Sequence, residues 1–329
     1  MPDCRSGEIK RACPVCGTNA PATPARRKNG FAIHRCGSCT LMFVVPQPAP
    51  EELERIYDAG YFERGNKYAA EHQATGRRPT SRPNDAARIS RVQEHVQVGR
   101  LLDVGCALGG FLSVAREQGF DVVGVEPSEP ASRHVRDKLG IEAVNADLPS
   151  AGLPDESFDV VTLWDVIEHV ADPLATLTEA ERVLRPGGAL LLSTGNAASL
   201  WARATGRYWQ LLTPPQHLFF HTPASLRHML TRSGLRTVEI RSHGKWVTFG
   251  FALFKARETL GRVIWPLQAV ARSLRLDSLR LYVNLFDIMT CVAEKASAAR
   301  RKSCWGCAPI VAPGEARRRA HSSAIQPEE

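Results

Sequence analysis

Leu101–Ser113 reads LLDVGCALGGFLS. Leu101, Leu102 and Val104 form a buried strand carrying Asp103, and Gly105, Gly109 and Gly110 let the chain turn tightly into a helix. The start of that helix aims backbone N–H groups at the anionic end of a ligand. The common dinucleotide-binding turn is spaced G-x-G-x-x-G. Here the pattern is D-x-G-x-x-x-G-G, with the acid inside the strand.

Further signals follow in order downstream. Asp121–Glu126 (DVVGVE) reads as a second strand ending in an acid 23 residues after Asp103, near the spacing at which α/β folds hold ribose hydroxyls, so Glu126 is the expected ribose ligand. A third strand leads to Asn145-Ala146-Asp147. A fourth, Phe158–Trp164 (FDVVTLW), runs into Asp165-Val166-Ile167-Glu168-His169. A helix to Leu184 is then closed by Arg185-Pro186-Gly187-Gly188 before a fifth strand, ALLLST.

These residues resemble class I S-adenosylmethionine (SAM) methyltransferases. Leu101–Ser113 is similar to their motif I, whose cofactor offers a carboxylate rather than a pyrophosphate, and the RPGG turn is characteristic of them. The resemblance covers about residues 84–295. It implies an α/β, Rossmann-like seven-stranded sheet in the order 3-2-1-4-5-7-6, with Asp287–Lys295 as an antiparallel strand beside strand five. It also implies SAM bound by Asp103, Gly105, Gly109, Glu126, Asp147 (at the adenine amino group) and Asp165.

At 329 residues the chain is long enough for one large domain with small appendages. Lys and Arg outnumber Asp and Glu by 42 to 34. The surplus lies in residues 1–45 and 296–329 and the middle is balanced, which argues against a nucleic-acid groove across the catalytic region. No apolar segment follows Met1-Pro2-Asp3-Cys4-Arg5, and no apolar run reaches the roughly 18 residues of a bilayer span. A cytoplasmic protein with no transmembrane segment is expected.

Nine cysteines, an odd number, include Cys13-x-x-Cys16 and Cys36-x-x-Cys39 separated by 19 residues. Two tight turns, relieved by Gly17 and Gly37, can bring four thiolates to one tetrahedral zinc. An all-cysteine site leaves no open position, so the zinc is expected to be structural. Arg26-Arg27-Lys28 reads as a solvated hairpin tip within this ribbon. Leu41–Phe62 resembles the join in bacterial methyltransferases with the same zinc-ribbon leader, sugar methyltransferases among them. Pro46, Pro48 and Pro50 stiffen that join, Glu51–Tyr57 should begin a helix, and residues 63–83 read as a mobile loop; Tyr57, Tyr61 and Phe62, ahead of it, could close over the cofactor or pack the ribbon against the main domain. The expected organisation is therefore a ribbon (1–45), a linker (46–83), a methyltransferase domain (84–295) and a disordered basic tail (296–329) containing Cys304 and Cys307.

Methyl transfer from a sulfonium needs alignment and a deprotonated nucleophile, so a base is sought. His217, in Gln216-His217-Leu218-Phe219-Phe220-His221, follows strand five, and this stretch resembles the Glu-His-Leu-x-Tyr-Phe-Ser segment of zinc-ribbon sugar C-methyltransferases, as does His243-Gly244. Gln216 replaces the paired acid, which favours O-methylation over C-methylation. His169, with Asp165 and Glu168, resembles the acid-x-x-Glu-His cluster of ubiquinone O-methyltransferases, where magnesium can bind. The favoured reading gives His217 the role of base and His169 that of shaping the site, without magnesium.

Thr222 should cap a helix through Arg232. Residues 249–281 read as an amphipathic helical insertion, kinked at Pro266, with Leu253, Leu260, Ile264, Leu267, Ala271 and Leu274 on one side and Lys255, Arg257, Arg262, Arg272 and Arg275 on the other. A lid over the acceptor is preferred for it, with peripheral membrane contact as the alternative. No Asn/Asp-Pro-Pro-Tyr segment occurs, so DNA is not expected as a substrate. The expected function is SAM-dependent methylation of a small-molecule or carbohydrate acceptor. A zinc-ribbon ribosomal-RNA methyltransferase and a non-catalytic SAM-fold binding protein are the alternatives, and oligomeric state is left open.

Overall fold

The structure, a computed structural model, describes residues 13–18, 23–49, 52 and 82–297. Apart from Glu52, the expected linker helix lies outside the described residues, as do Tyr57, Tyr61, Phe62, residues 63–81 and the tail with Cys304 and Cys307.

Valine and leucine runs buried on both faces make the interior strands of a parallel sheet. These are β4 (Arg100–Val104), β5 (Asp121–Val125), β6 (Glu142–Val144), β7 (Phe158–Trp164) and β8 (Leu184–Gly195). Two later strands, β10 (Leu235–Ser242) and β13 (Ile288–Lys295), add antiparallel to one edge. The sheet order is β10-β13-β8-β7-β4-β5-β6, which is the order 3-2-1-4-5-7-6 read from the opposite edge. β8 starts at Leu184, so Arg185–Gly188 opens the strand instead of forming a separate turn before it.

Helices cover both faces of the sheet. On one face α1 (Arg82–Gln93), α2 (Gly110–Glu117) and α3 (Glu129–Leu139) bury Ile89, Val92, Phe111, Leu112 and Val135 against Leu101, Val122 and Val160. On the other, α4 (Pro173–Val183) and α6 (Pro223–Arg232) bury Leu177, Ala180, Leu226 and Met229 against Leu102, Val161 and Leu192. Local chemistry fixes the helix starts. Asp172 Oδ1 accepts from Ala175 N at 2.9 Å ahead of Pro173. Thr222 and Ser225 form a reciprocal capping box, with Ser225 N donating to Thr222 Oγ1 at 3.1 Å and Thr222 N donating to Ser225 Oγ at 2.9 Å. Because α1 begins at Arg82, residues 82–83 are helical and not part of the expected loop.

The N-terminal strands β1 (Thr23–Lys28), β2 (Phe31–Arg35) and β3 (Met42–Val45) form an antiparallel sheet with β9 (Phe219–Phe220) as a fourth strand. The ribbon is thus stitched into the large domain, and Val15, Leu41 and Phe43 share its core with Leu218, Phe219 and Leu230. Arg26-Arg27-Lys28 is not a solvated tip. It lies in β1, where Arg26 Nη1 donates to Gly206 O at 2.8 Å and Lys28 Nζ reaches Trp209 O at 3.5 Å; the tip is Asn29-Gly30.

The insertion differs from one kinked helix. β11 (Lys245–Thr248) pairs with β12 (Arg280–Val283), and between them run α7 (Phe249–Leu260), a short 3₁₀ turn and α8 (Trp265–Ser273). Pro266 sits in the first turn of α8, where its missing N–H breaks no intrahelical bond. Leu253 and Ala271 are buried, but Leu267 and Leu274 face outward, so the apolar positions do not share one packed stripe. Among the described residues no helix is long and apolar enough to cross a membrane.

Candidate active site

The parallel strands deliver their polar ends to one edge of the sheet, the edge at which open α/β folds bind ligands. Asp103 is buried in β4 and accepts from Thr162 Oγ1 at 2.7 Å; burial pushes its carboxyl up to about 7 against that hydrogen bond. The turn that follows must be glycine at two points. Gly105 (φ +68°) and Gly109 (φ +74°) are left-handed, and a Cβ would come 2.6 Å from Val166 Cγ2 at the first and 2.6 Å from Leu139 Cδ1 at the second.

Glu126, just past β5, closes this cradle. Its Oε2 accepts from Ala107 N at 2.9 Å and its Oε1 from Ser128 N at 3.0 Å. Burial raises its pKa, while the two backbone donors favour the charged form. Asn145 donates to the carbonyls of Glu126 and Pro127, holding the ends of β5 and β6 together. Asp147 is exposed and caps a short 3₁₀ turn through Ser150 N at 3.1 Å.

Asp165 follows β7 in a left-handed conformation (φ +60°). Its Oδ2 meets Arg88 at 2.9 Å and Lys245 at 2.8 Å, and its Oδ1 accepts from Ser193 Oγ at 2.9 Å. Arg88 lies on α1 and Lys245 on β11, and no local motif around either residue marks this role. Arg88 also stacks its guanidinium 5.2 Å from the centre of the Trp164 ring.

His169 and His217, read from sequence as competitors, lie together. Their ring centroids are 4.6 Å apart at 84°. His169 Nδ1 donates to Gln216 O at 2.8 Å and His217 Nδ1 donates to Leu211 O at 2.7 Å, which puts the lone pair of a neutral His217 ring on Nε2. Leu218 N donates to Glu168 O at 2.8 Å, joining the two segments. Ligand atoms of Glu168, His169 and His217 lie within 4.8 Å of one another. Burial pushes Glu168 up to about 8, with the Asp165 charge adding to it, and pulls His217 down to about 3. Burial thus favours the neutral form of each group. His243 is a neighbour of another kind, with Nδ1 2.7 Å from Thr290 Oγ1.

The four ribbon cysteines converge as their spacing predicts. Cys13 Sγ lies 3.6 Å from Cys39 Sγ, Cys16 Sγ lies 3.6 Å from Cys36 Sγ, and all four sulfurs fall within 4.8 Å. A tetrahedral zinc with Zn–S bonds near 2.3 Å needs sulfurs about 3.8 Å apart, so the donor set fits that ion. The contact from Cys39 pulls the Cys13 thiol down to about 5 and raises that of Cys39. Gly17 N donates to Cys13 O and Thr40 N to Cys36 O. The left-handed residues of the two turns are accordingly Gly17 and Thr40, and Gly37 does not have the expected role. Thr40 Oγ1 also lies 2.7 Å from Thr222 Oγ1, and Arg232 donates to Val15 O, so both turns are tied to α6.

The sheet order, the glycine turn and the acids along its edge define a class I SAM-dependent methyltransferase, an enzyme class. The chain belongs to the family described as "Methyltransferase domain", whose model matches residues 72–240. It is similar to the ubiquinone biosynthesis O-methyltransferase of Cereibacter sphaeroides (strain ATCC 17025 / ATH 2.4.3), with 36% identity over 155 residues, 43% of this chain and 61% of that protein. The enzyme of the same name from Thiobacillus denitrificans (strain ATCC 25259 / T1) is 34% identical over 155 residues, 43% of this chain and 66% of that protein. The chain thus spans about three fifths of the length of the curated relatives it matches. Among solved structures, the 4+2 cyclase SpnF superposes with a TM-score of 0.51 at 18% identity, covering 76% of this chain and 97% of that one. A cyclase on this fold illustrates that the fold alone does not set the reaction.

Proposed function

We propose that the protein transfers the methyl group of SAM to a hydroxyl of a small-molecule acceptor, with His217 as the base. The observation behind this reading is the edge-to-face contact of His169 and His217, each anchored through Nδ1 to a backbone carbonyl, with His169 four residues after Asp165. When bound, SAM supplies a methyl already activated by its sulfonium. Glu126 has an unused lone pair on each carboxylate oxygen for the ribose hydroxyls, and Asp147 offers a carboxylate to the adenine amino group. Asp103, Gly105 and Gly109 shape the cradle, and Asp165 would offer its carboxylate to a cofactor cation in place of Arg88 or Lys245. His217 Nε2 takes the acceptor proton, and His169 holds the ring opposite.

O-methylation is favoured by the O-methyltransferase activity named for the relatives and by Gln216, which enters the site through its backbone carbonyl instead of supplying an acid. The zinc held by Cys13, Cys16, Cys36 and Cys39 is structural. The test is to incubate the full chain with labelled SAM and, separately, a catechol, a hexose and a ribosomal-RNA fragment. A methyl ether on the catechol with release of S-adenosylhomocysteine supports the reading. Transfer to RNA alone, or SAM binding without transfer to any acceptor, contradicts it.

A second reading is favoured by the convergence of Glu168, His169 and His217 within 4.8 Å: these three hold a divalent cation that activates the acceptor oxygen. Asp165 is not in that group, being held by Arg88 and Lys245. Two imidazoles and one carboxylate suit manganese, iron or zinc better than magnesium. Activity abolished by a chelator and restored by one of these ions supports the cation. Activity indifferent to chelation leaves His217 as the base.

A further inference from the structure

Where the ribbon meets the segment after β8, a cavity of about 330 Å³ is lined by Arg26, Arg35 and Arg203 together with Thr40, Met42 and Thr222. The three guanidinium groups come from three elements: β1, the end of β2 and α5 (Leu200–Thr205). None of the residues lining the cavity is acidic. Three like charges facing one space repel, and burial already opposes the charge on Arg26. Arg26 is held in place by its bond to Gly206 O, so the fold fixes the fork and does not leave it to swing into solvent.

We propose that this cavity binds the phosphate or diphosphate group of a small phosphorylated molecule. A guanidinium fork matches phosphate oxygens bidentately, and three forks supply more charge than one carboxylate neutralises. The volume lies at the lower end of the range for small-molecule sites and exceeds the needs of a lone phosphate, leaving room for part of an organic moiety. Thr40 and Thr222 place two hydroxyl groups on the same wall. The lining of this site includes neither His169 nor His217, and none of the residues assigned to SAM.

The test is calorimetric titration of the zinc-loaded full chain with pyrophosphate, inorganic phosphate and phenyl phosphate, repeated on the Arg35→Gln/Arg203→Gln double variant. Pyrophosphate is expected to bind once per chain and to bind at least tenfold more weakly to the variant, with SAM affinity and melting temperature unchanged. Phenyl phosphate binding more tightly than inorganic phosphate assigns the site to an organic phosphate, and equal binding to free phosphate; both support an anion site. Arg203→Lys, which keeps the charge and loses the fork, is expected to fall between wild type and the double variant. No pyrophosphate binding by the wild type, or equal binding by the double variant, overturns the proposal. So does an RNA 12-mer that binds more tightly than pyrophosphate through the same arginines.

Discussion

His169 and His217 stand edge to face with 4.6 Å between ring centroids, each ring pinned through Nδ1 to a backbone carbonyl contributed by Leu211–Gln216. The two rings are thus held side by side, and ligand atoms of Glu168, His169 and His217 lie within 4.8 Å of one another. On the proposed function the pair acts as one unit, whether its partner is an acceptor proton or a cation.

His217→Ala is expected to lower turnover by about 10² to 10⁴, the usual contribution of a positioned base, with SAM affinity within about threefold of wild type. His169→Ala should fall short of that loss. The double variant should be no worse than His217→Ala alone, because residues that act as a unit are not additive. Steady-state rates of the three variants on one acceptor check this, and strictly multiplicative losses would contradict it.

The ribbon is expected to matter for catalysis although it contributes no residue to the histidine pair. Val44 N in β3 donates to Leu218 O at 3.0 Å, and Leu218 N donates to Glu168 O at 2.8 Å, so the ribbon braces the segment carrying His217. Elemental analysis should find one zinc per chain, lost in Cys13→Ser/Cys36→Ser. The same variant should lose methyl transfer while retaining SAM affinity within about threefold. Unchanged metal content would refute the zinc site, and full activity without zinc would refute the brace.

Acid should destabilise the fold through His221, which is fully buried between β9 and α6 and held at about 4 by burial, with weak opposition from the Ile167 backbone. Its folded pKa lies below the unfolded value near 6.5, so the unfolded chain takes up a proton that the native state refuses. The contribution is complete above about pH 6.5 and is lost as pH falls toward 4, by roughly 3 kcal/mol for a shift of this size. Denaturant unfolding at pH 7 and pH 4.5 should show a smaller acid loss in His221→Gln than in wild type. Equal losses would show that His221 does not set the slope.

The parts legible in the sequence are those encoded locally. A strand carrying Asp103 into a glycine turn, acids at Glu126 and Asp147, and two C-x-x-C pairs each need only a few neighbouring residues, and the sheet order came from the family resemblance that these motifs carry. What escaped the sequence depends on contacts between distant segments. Arg88 and Lys245 reach Asp165 from opposite ends of the domain, and β3 finds β9 across most of the chain. His169 and His217 read as rivals because nothing local shows that Leu218 docks on Glu168. The insertion misled for a physical reason: a helical apolar period at Leu267 and Leu274 specifies a face only when something packs on it, and here both side chains point outward.

On the proposed function, the edge of the sheet carrying Glu126 and Asp147 binds SAM. Calorimetric titration of SAM into wild type, Glu126→Ala and Asp147→Ala tests it directly. Each lost charge-assisted contact costs about 1.5 to 3 kcal/mol, so Glu126→Ala should bind at least tenfold more weakly. Asp147 is exposed and should show the smaller loss. Wild-type binding with these graded losses is the predicted result. Affinity unchanged in both variants would contradict the assignment of the cofactor site.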